Sequence, residues 1–276
     1  MLGKLLKYEV KAAGKVMPAL YLGIGLTYGL GKLAGVLGIE QMKTGFAIAC
    51  AGVGIAAMVL ALILTVMRYA KGLFGAEGYL TQTLPVGKGT LIVSKVITGY
   101  LLILLGFIGL MLGVFGTIDI FEIGGIRELL ASAFGDMMGP LLIVFLVMGL
   151  VQLFATLAAV YFSIALSNTR PFLSNNLLFS VVFFLASSTA VSLLEVGAMM
   201  LLPVGIRLTE GGGVRLVFET TLGSLMQNPG LMGTNQDPAV FMQVSLGIGS
   251  VLVDAAVGIV LLFVTRWLLT RKVSVK

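Results

Sequence analysis

Six separate runs of about twenty mostly apolar residues dominate this chain, and each is long enough to carry an α-helix across the ~30 Å hydrocarbon core of a bilayer. The runs cover residues 17–37, 46–66, 96–116, 140–167, 177–202 and 243–265. With no water in the hydrocarbon core, each segment must satisfy its own backbone groups, and for runs of this length that means helices. Hydrophobic residues make up 58% of the sequence and charged ones only 11%, less than half the charged share of an ordinary soluble domain. The expected fold is an all-α membrane protein with six transmembrane helices.

An even number of spans puts both termini on one side, and the basic residues indicate which. With the termini in the cytoplasm, the inner segments hold Lys4, Lys7, Lys11 and Lys15, then Arg68, Lys71, Lys88 and Lys95, then Arg170, and finally Arg266, Arg271, Lys272 and Lys276, which is 13 of the 18 Lys and Arg. Lys32, Lys43, Arg127, Arg207 and Arg215 fall outside. The positive-inside rule therefore favours cytoplasmic termini. It also accounts for the net charge of +6 through membrane anchoring, with no nucleic-acid partner. The first apolar run is span-length and lacks an A-x-A cleavage pattern, so a retained helix is expected in place of a signal peptide.

Residues 1–16 form a separate element in this reading. Lys4, Lys7, Lys11 and Lys15 share one helical face, with Leu2, Leu5, Leu6, Ala12, Ala13 and Val16 opposite and Glu9 breaking the apolar side. Such an amphipathic helix suits the inner leaflet, its basic side toward lipid phosphates. Residues 17–276 then form the six-span domain. Two longer segments fall outside: 117–139, with an Ile126, Leu129, Leu130, Ala133, Phe134 stripe that predicts a short surface helix, and 203–242. The latter holds the glycine run 211–213 and turn signals at Asn228-Pro229-Gly230 and Asp237-Pro238, and is expected to cap the bundle because it is too small for a core of its own.

Several chemistries find no residues to carry them. The chain has no histidine and a single cysteine, Cys50, which removes the commonest catalytic base and leaves no thiol pair for metal or redox work. Every Gly-Lys pair is followed by Leu, Val or Gly, never Ser or Thr, so no phosphate-cradling P-loop is present. No cofactor is expected on this chain. Intramembrane carboxyls are costly and so invite a functional reading. Asp254, near the middle of the sixth apolar run, and Glu195, toward the outer end of the fifth, are candidates for a substrate path; a carboxyl satisfied within the bundle is the simpler alternative. Gly25-x-x-x-Gly29, Gly31-x-x-x-Gly35 and Gly109-x-x-x-Gly113 are small-residue spacings that permit close helix approach or a dimer face.

The segment 67–95 between the second and third spans is the most distinctive. Gly72 and Gly75 interrupt the helix leaving the membrane, and Pro85, Gly87 and Gly89 mark the start of the next. Between them, 76–84 forms a short element presenting Tyr79, Leu80 and Leu84 beside Glu77, a set suited to a protein groove. The stretch RYAKGLFGAEGYLTQTLPVGKGTLIVSK resembles the corresponding loop of permease subunits of bacterial ABC-2 type transporters, notably a G-x-E-G-Y-L-x-x-T-L-P-V pattern followed by a helix ending in S-K. The opening LLKYEVKAAGKVMPALY and the closing WLLTRKVSVK are also similar to that family's ends.

The resemblance implies a multi-pass permease in the bacterial plasma membrane, paired with a second copy or homologue. It also implies a separate ATP-binding cassette subunit that binds and hydrolyses ATP while gripping a coupling element around 75–85. Carried onto this sequence, that element comprises Glu77, Gly78, Tyr79, Leu80, Leu84 and Pro85. The 203–242 segment is longer than is common in the family. Two other classes remain open at this stage: an ion-coupled secondary transporter, and a non-transporting membrane scaffold or immunity protein.

Overall fold

In the computed structural model, the structure describes residues 3, 7, 16–75, 87–121, 138–209, 213–227 and 246–271. The expected interfacial helix at 1–16, the surface stripe in 126–134 and the coupling residues Glu77, Gly78, Tyr79, Leu80, Leu84 and Pro85 lie outside the described residues, apart from Gly3, Lys7 and Val16. Among the described residues, six helices are long and apolar enough to cross a membrane, so the chain has the architecture of an α-helical, multi-pass membrane protein. They are α1 (Met17–Val36), α2 (Glu40–Phe74), α3 (Lys88–Ile120), α4 (Met138–Ser167), α5 (Asn176–Leu201) and, after a short α6 (Thr221–Gln227), α7 (Gly249–Arg271). The chain divides into two compact units, one built on 1–124 with 168–171 and 266–276, the other on 125–167 with 172–265.

The first unit is organised by α1, α2 and α3. Pro18 stands in the first turn of α1, where its missing N–H would have no helical partner anyway. The helix ends in a Schellman closure: Ile39 N–H donates to Ala34 O at 3.0 Å, Gly38 N–H to Gly35 O at 3.1 Å, and Gly38 supplies the required positive φ of 71°. That tight reversal turns the chain into α2. Met17, Ala61 and Leu102 pack together, as do Ile24, Ala47, Cys50 and Ile120, which fixes how far each helix runs past its neighbours.

The α2–α3 seam is made of small residues. A Cβ on Gly54 would stand 2.9 Å from the Gly113 Cα, and one on Gly113 would stand 2.8 Å from Cys50 O. Farther along, Gly106 and Gly109 face Ala61 and Ala57 at hypothetical Cβ distances of 2.5 and 2.9 Å, and Gly116 faces the Cys50 sulfur. Backbone therefore approaches backbone along about three turns, the arrangement that gives membrane helices their packing energy where no hydrophobic effect is on offer. The Gly109-x-x-x-Gly113 spacing is spent on this internal seam and does not form a dimer face. Gly31 packs on Ile120, whereas a Cβ at Gly25 or Gly29 would meet nothing within 4 Å.

In the second unit, α4 ends at Ser167, just ahead of a 3-10 turn (Arg170–Asn175) that contains Pro171, which cannot continue a helix. Phe172 of this turn packs on Phe179 at 4.9 Å and on Phe183 at 5.0 Å between ring centroids, holding the turn against α5. Leu202 adopts extended backbone ahead of Pro203, as the residue before a proline prefers. The segment expected only as an outer cap then forms a β-hairpin, β1 (Gly205–Thr209) and β2 (Gly213–Val217), with β3 (Leu246–Gly247) on the other side of β1. Arg207 and Arg215 stand opposite each other in the hairpin register. Glu219 offsets the like charges through a 2.5 Å bond accepted from Arg207.

Two expected boundaries are corrected. The sixth helix begins at Gly249, not near residue 243, because Leu246 and Gly247 are taken by the sheet. Gly247 has room for that only because it lacks a side chain: a Cβ there would sit 2.6 Å from Thr221 Oγ1 and 2.8 Å from Met199 O. The described parts of the 67–95 segment are helix apart from Gly75 and Gly87. Gly72 lies inside α2 and only Gly75 ends it, with its N–H donating to Lys71 O at 3.2 Å.

Candidate functional site

The first candidate region is the end of the α2–α3 pair that carries residues 76–86. Met17 at the start of α1 packs level with Ala61 and Leu102. From that level α2 runs on to Phe74 and α3 back to Lys88, each a further ~20 Å at 1.5 Å per residue. This extension is well packed. Tyr69 is fully buried, Leu73 and Ser94 nearly so, and the Tyr69 and Phe74 rings meet edge to face at 6.0 Å. Lys95, counted above among the loop charges, is instead a buried residue of α3, 8% exposed. A Cβ on Gly72 would lie 2.7 Å from its Nζ, so glycine at 72 makes room for the ammonium. The residues expected to bind a partner are thus flanked on both sides by ordered helix.

A second region lies between α4 and α5. Ser163 and Ser187 face each other across the opposed runs of these helices, their hydroxyl oxygens 3.3 Å apart. Farther along, Gln152 Nε2 donates to Glu195 Oε1 at 3.1 Å. Between these contacts is a cleft of about 50 Å³ lined by Gln152, Thr156, Phe184, Ser188, Ser192 and Glu195, among others. Asp254, from the second turn of α7, lies beside the Glu195 carboxyl. It is only 4% exposed, and its Oδ1 is buried without a hydrogen-bond partner.

The two carboxyls expected singly from the sequence are therefore one cluster. Asp254 belongs near the start of its helix, not its middle, because α7 starts late. Sequence reasoning missed Gln152, Thr156, Ser188 and Ser192. Their signal was available as spacing: Gln152 and Thr156 are four apart on α4, and Ser188, Ser192 and Glu195 fall at i, i+4 and i+7 on α5, one polar stripe on each of two otherwise apolar helices. Ala198 is the one buried residue of α5, so this stripe borders a surface left open within the chain.

No protein family, curated protein or solved structure matches this chain.

Proposed function

We propose that the chain is the membrane-spanning permease subunit of an ABC-2 type exporter of the bacterial plasma membrane. In this reading it works as a dimer with a second copy or homologue, its termini are cytoplasmic, and ATP is bound and hydrolysed on a separate cassette subunit. The observation that carries the reading is the reach of α2 and α3. Each runs some 20 Å past the start of α1, and glycine and alanine lock the two together. Such a strut is suited to pass displacement at its tip into the bundle. Flexible loops could not do so, because they would absorb the motion. No residue of the chain performs covalent chemistry in this mechanism; peptides, lipids or amphiphilic drugs are the cargo classes suited to a mostly apolar bundle.

The test is co-expression with a candidate cassette ATPase. Tyr79→Asp with Leu80→Asp is expected to abolish co-purification and ATP-dependent transport in vesicles, and unchanged values for both would overturn the proposal. Orientation is tested separately. Cys50 is fully buried, so a cysteine introduced at Tyr79 can be labelled over a quiet background; labelling from outside intact cells would equally end the proposal.

The Glu195 and Asp254 cluster favours a second reading, a secondary transporter driven by protons or sodium. That reading requires flux under an imposed gradient without any ATPase, and loss of the flux in Asp254→Asn.

A further inference from the structure

We infer that the α4–α5 cleft is a binding site for a primary ammonium group carried on an amphiphile. The argument is a count of hydrogen-bond donors. Thr156 donates its only hydroxyl proton to Gln152 O at 2.9 Å, and Ser188 donates its own to Leu185 O at 3.1 Å. The Gln152 amide nitrogen is directed at Glu195. What remains toward the cleft is mostly acceptor oxygen: the lone pairs of the Thr156 and Ser188 hydroxyls, the Gln152 carbonyl and the Glu195 carboxyl, against the second Gln152 N–H and the Ser192 hydroxyl proton as donors. Asp254 behind Glu195 adds a buried oxygen that no donor reaches. No Lys or Arg lines the cleft among the described residues.

Acceptors facing an apolar medium are costly unless a donor meets them. A ligand that completes this site must bring several N–H groups and positive charge together, which is the chemistry of an ammonium. Phosphate or carboxylate would add acceptors to acceptors, and a quaternary ammonium has charge but nothing to donate. Size agrees. A cleft of about 50 Å³ exceeds the ~10–15 Å³ that one water needs and accommodates an aminomethyl head. Phe184 and Val191 line its apolar wall, and the neighbouring Val181 and Leu185 of α5 are exposed, offering a track for an alkyl chain. As a statement about cargo this rests on the permease reading; as a statement about binding it stands on the isolated protein, so the two fail separately.

The experiment uses the full chain in phosphatidylcholine nanodiscs and measures equilibrium binding of dodecylammonium, dodecyltrimethylammonium and dodecyl sulfate. Saturable binding of one dodecylammonium per chain is expected, with the other two weaker by about ten-fold or more, the loss of a charge-assisted hydrogen bond. Glu195→Gln is expected to weaken dodecylammonium by about ten-fold without lowering the unfolding midpoint. Thr156→Val with Ser188→Val, which leaves the carboxyls intact, is expected to weaken it by about five-fold. Equal affinity for the quaternary head, or undiminished binding in both variants, would overturn the assignment. Replacing phosphatidylcholine with phosphatidylethanolamine separates two sources of the same head: a fall in dodecylammonium affinity identifies an aminolipid as the resident ligand, and unchanged affinity identifies a non-lipid amphiphile. Unchanged partner coupling in Tyr79→Asp with Leu80→Asp, with this binding intact, would count against the exporter role alone.

Discussion

The α2–α3 seam and the α4–α5 seam both join neighbouring membrane helices, yet they are built from opposite materials. In the first, Gly54, Gly106, Gly109 and Gly113 bring backbones together and leave no space. In the second, Gln152, Thr156, Ser188 and Glu195 hold a small cleft open with polar atoms. Membrane helices gain packing from small residues and pay for exposed polar ones. A seam of the first kind suits transmission of force, and a seam of the second kind suits recognition. The contrast lets each half of the proposed mechanism be damaged without the other.

The largest expected effect comes from overfilling the tight seam. Gly113→Leu must push α3 off α2, since even a Cβ would lie 2.8 Å from Cys50 O and from the Gly54 Cα. A loss of about 3 kcal/mol, at the upper end of ordinary overpacking costs, is expected in denaturant-induced unfolding in mixed micelles. The matched change in the other unit, Gly149→Leu on α4, meets nothing within 4 Å and is expected to leave the midpoint unmoved. Equal responses at 113 and 149 would erase the distinction between the two seams.

A smaller effect separates hydrogen bonds that cross a seam from those that do not. Thr117 Oγ1 approaches Ala47 O across the seam at 2.9 Å and Gly113 O of its own helix at 2.8 Å. Thr117→Val is expected to cost about 1 kcal/mol, within the range measured for interhelical bonds in membranes. Ser163 already donates to Ala159 O of its own helix at 2.7 Å, so its 3.3 Å approach to Ser187 is secondary. Ser163→Ala is expected to cost about half as much or less, read by the same unfolding measurement.

The tight seam and the open one were unequally legible in the sequence. Apolar run length gave all six spanning helices, because the bilayer imposes both their length and their internal hydrogen bonding. The ends of those helices were harder. Hydropathy stops at Met67 and Val96, but α2 and α3 continue as soluble-type helix through Arg68, Lys71 and Lys95, and the burial of Lys95 depends on neighbours that a linear scan does not see. The hairpin was written in the repeated Gly-Ile-Arg-Leu and Gly-Val-Arg-Leu on either side of Glu210-Gly211-Gly212, two alternating runs parted by a glycine-rich stretch, and the pairing of β3 with β1 displaced the start of α7. That displacement brings Asp254 to Glu195. Neither carboxyl suggested the other, because their meeting depends on where a helix starts in three dimensions and not on either residue's own surroundings.

The smallest expected effects concern charge, and here the two regions should differ in sign. In the first unit Asp119 is compensated: Lys32 Nζ lies 2.9 Å from its carboxylate and donates to its backbone oxygen at 2.9 Å, while Tyr28 donates to the carboxylate at 2.7 Å. Asp119→Asn removes the ion pair but keeps an oxygen for Tyr28 and the backbone acceptor for Lys32. A slight drop in unfolding midpoint is expected, shrinking further as salt screens the exposed pair. In the second unit Glu195 has another carboxyl, Asp254, as its neighbour. Glu195→Gln takes away a like-charge contact and retains a group that can bond to both Gln152 and Asp254, so a slight rise in midpoint is expected. Opposite signs in the two variants would mark unit 1 as a neutralised framework and unit 2 as a site that holds acceptor charge in reserve for a cation. Matching drops would mean that Glu195 is already as well paired as Asp119, leaving the cleft no electrostatic reason to bind an ammonium.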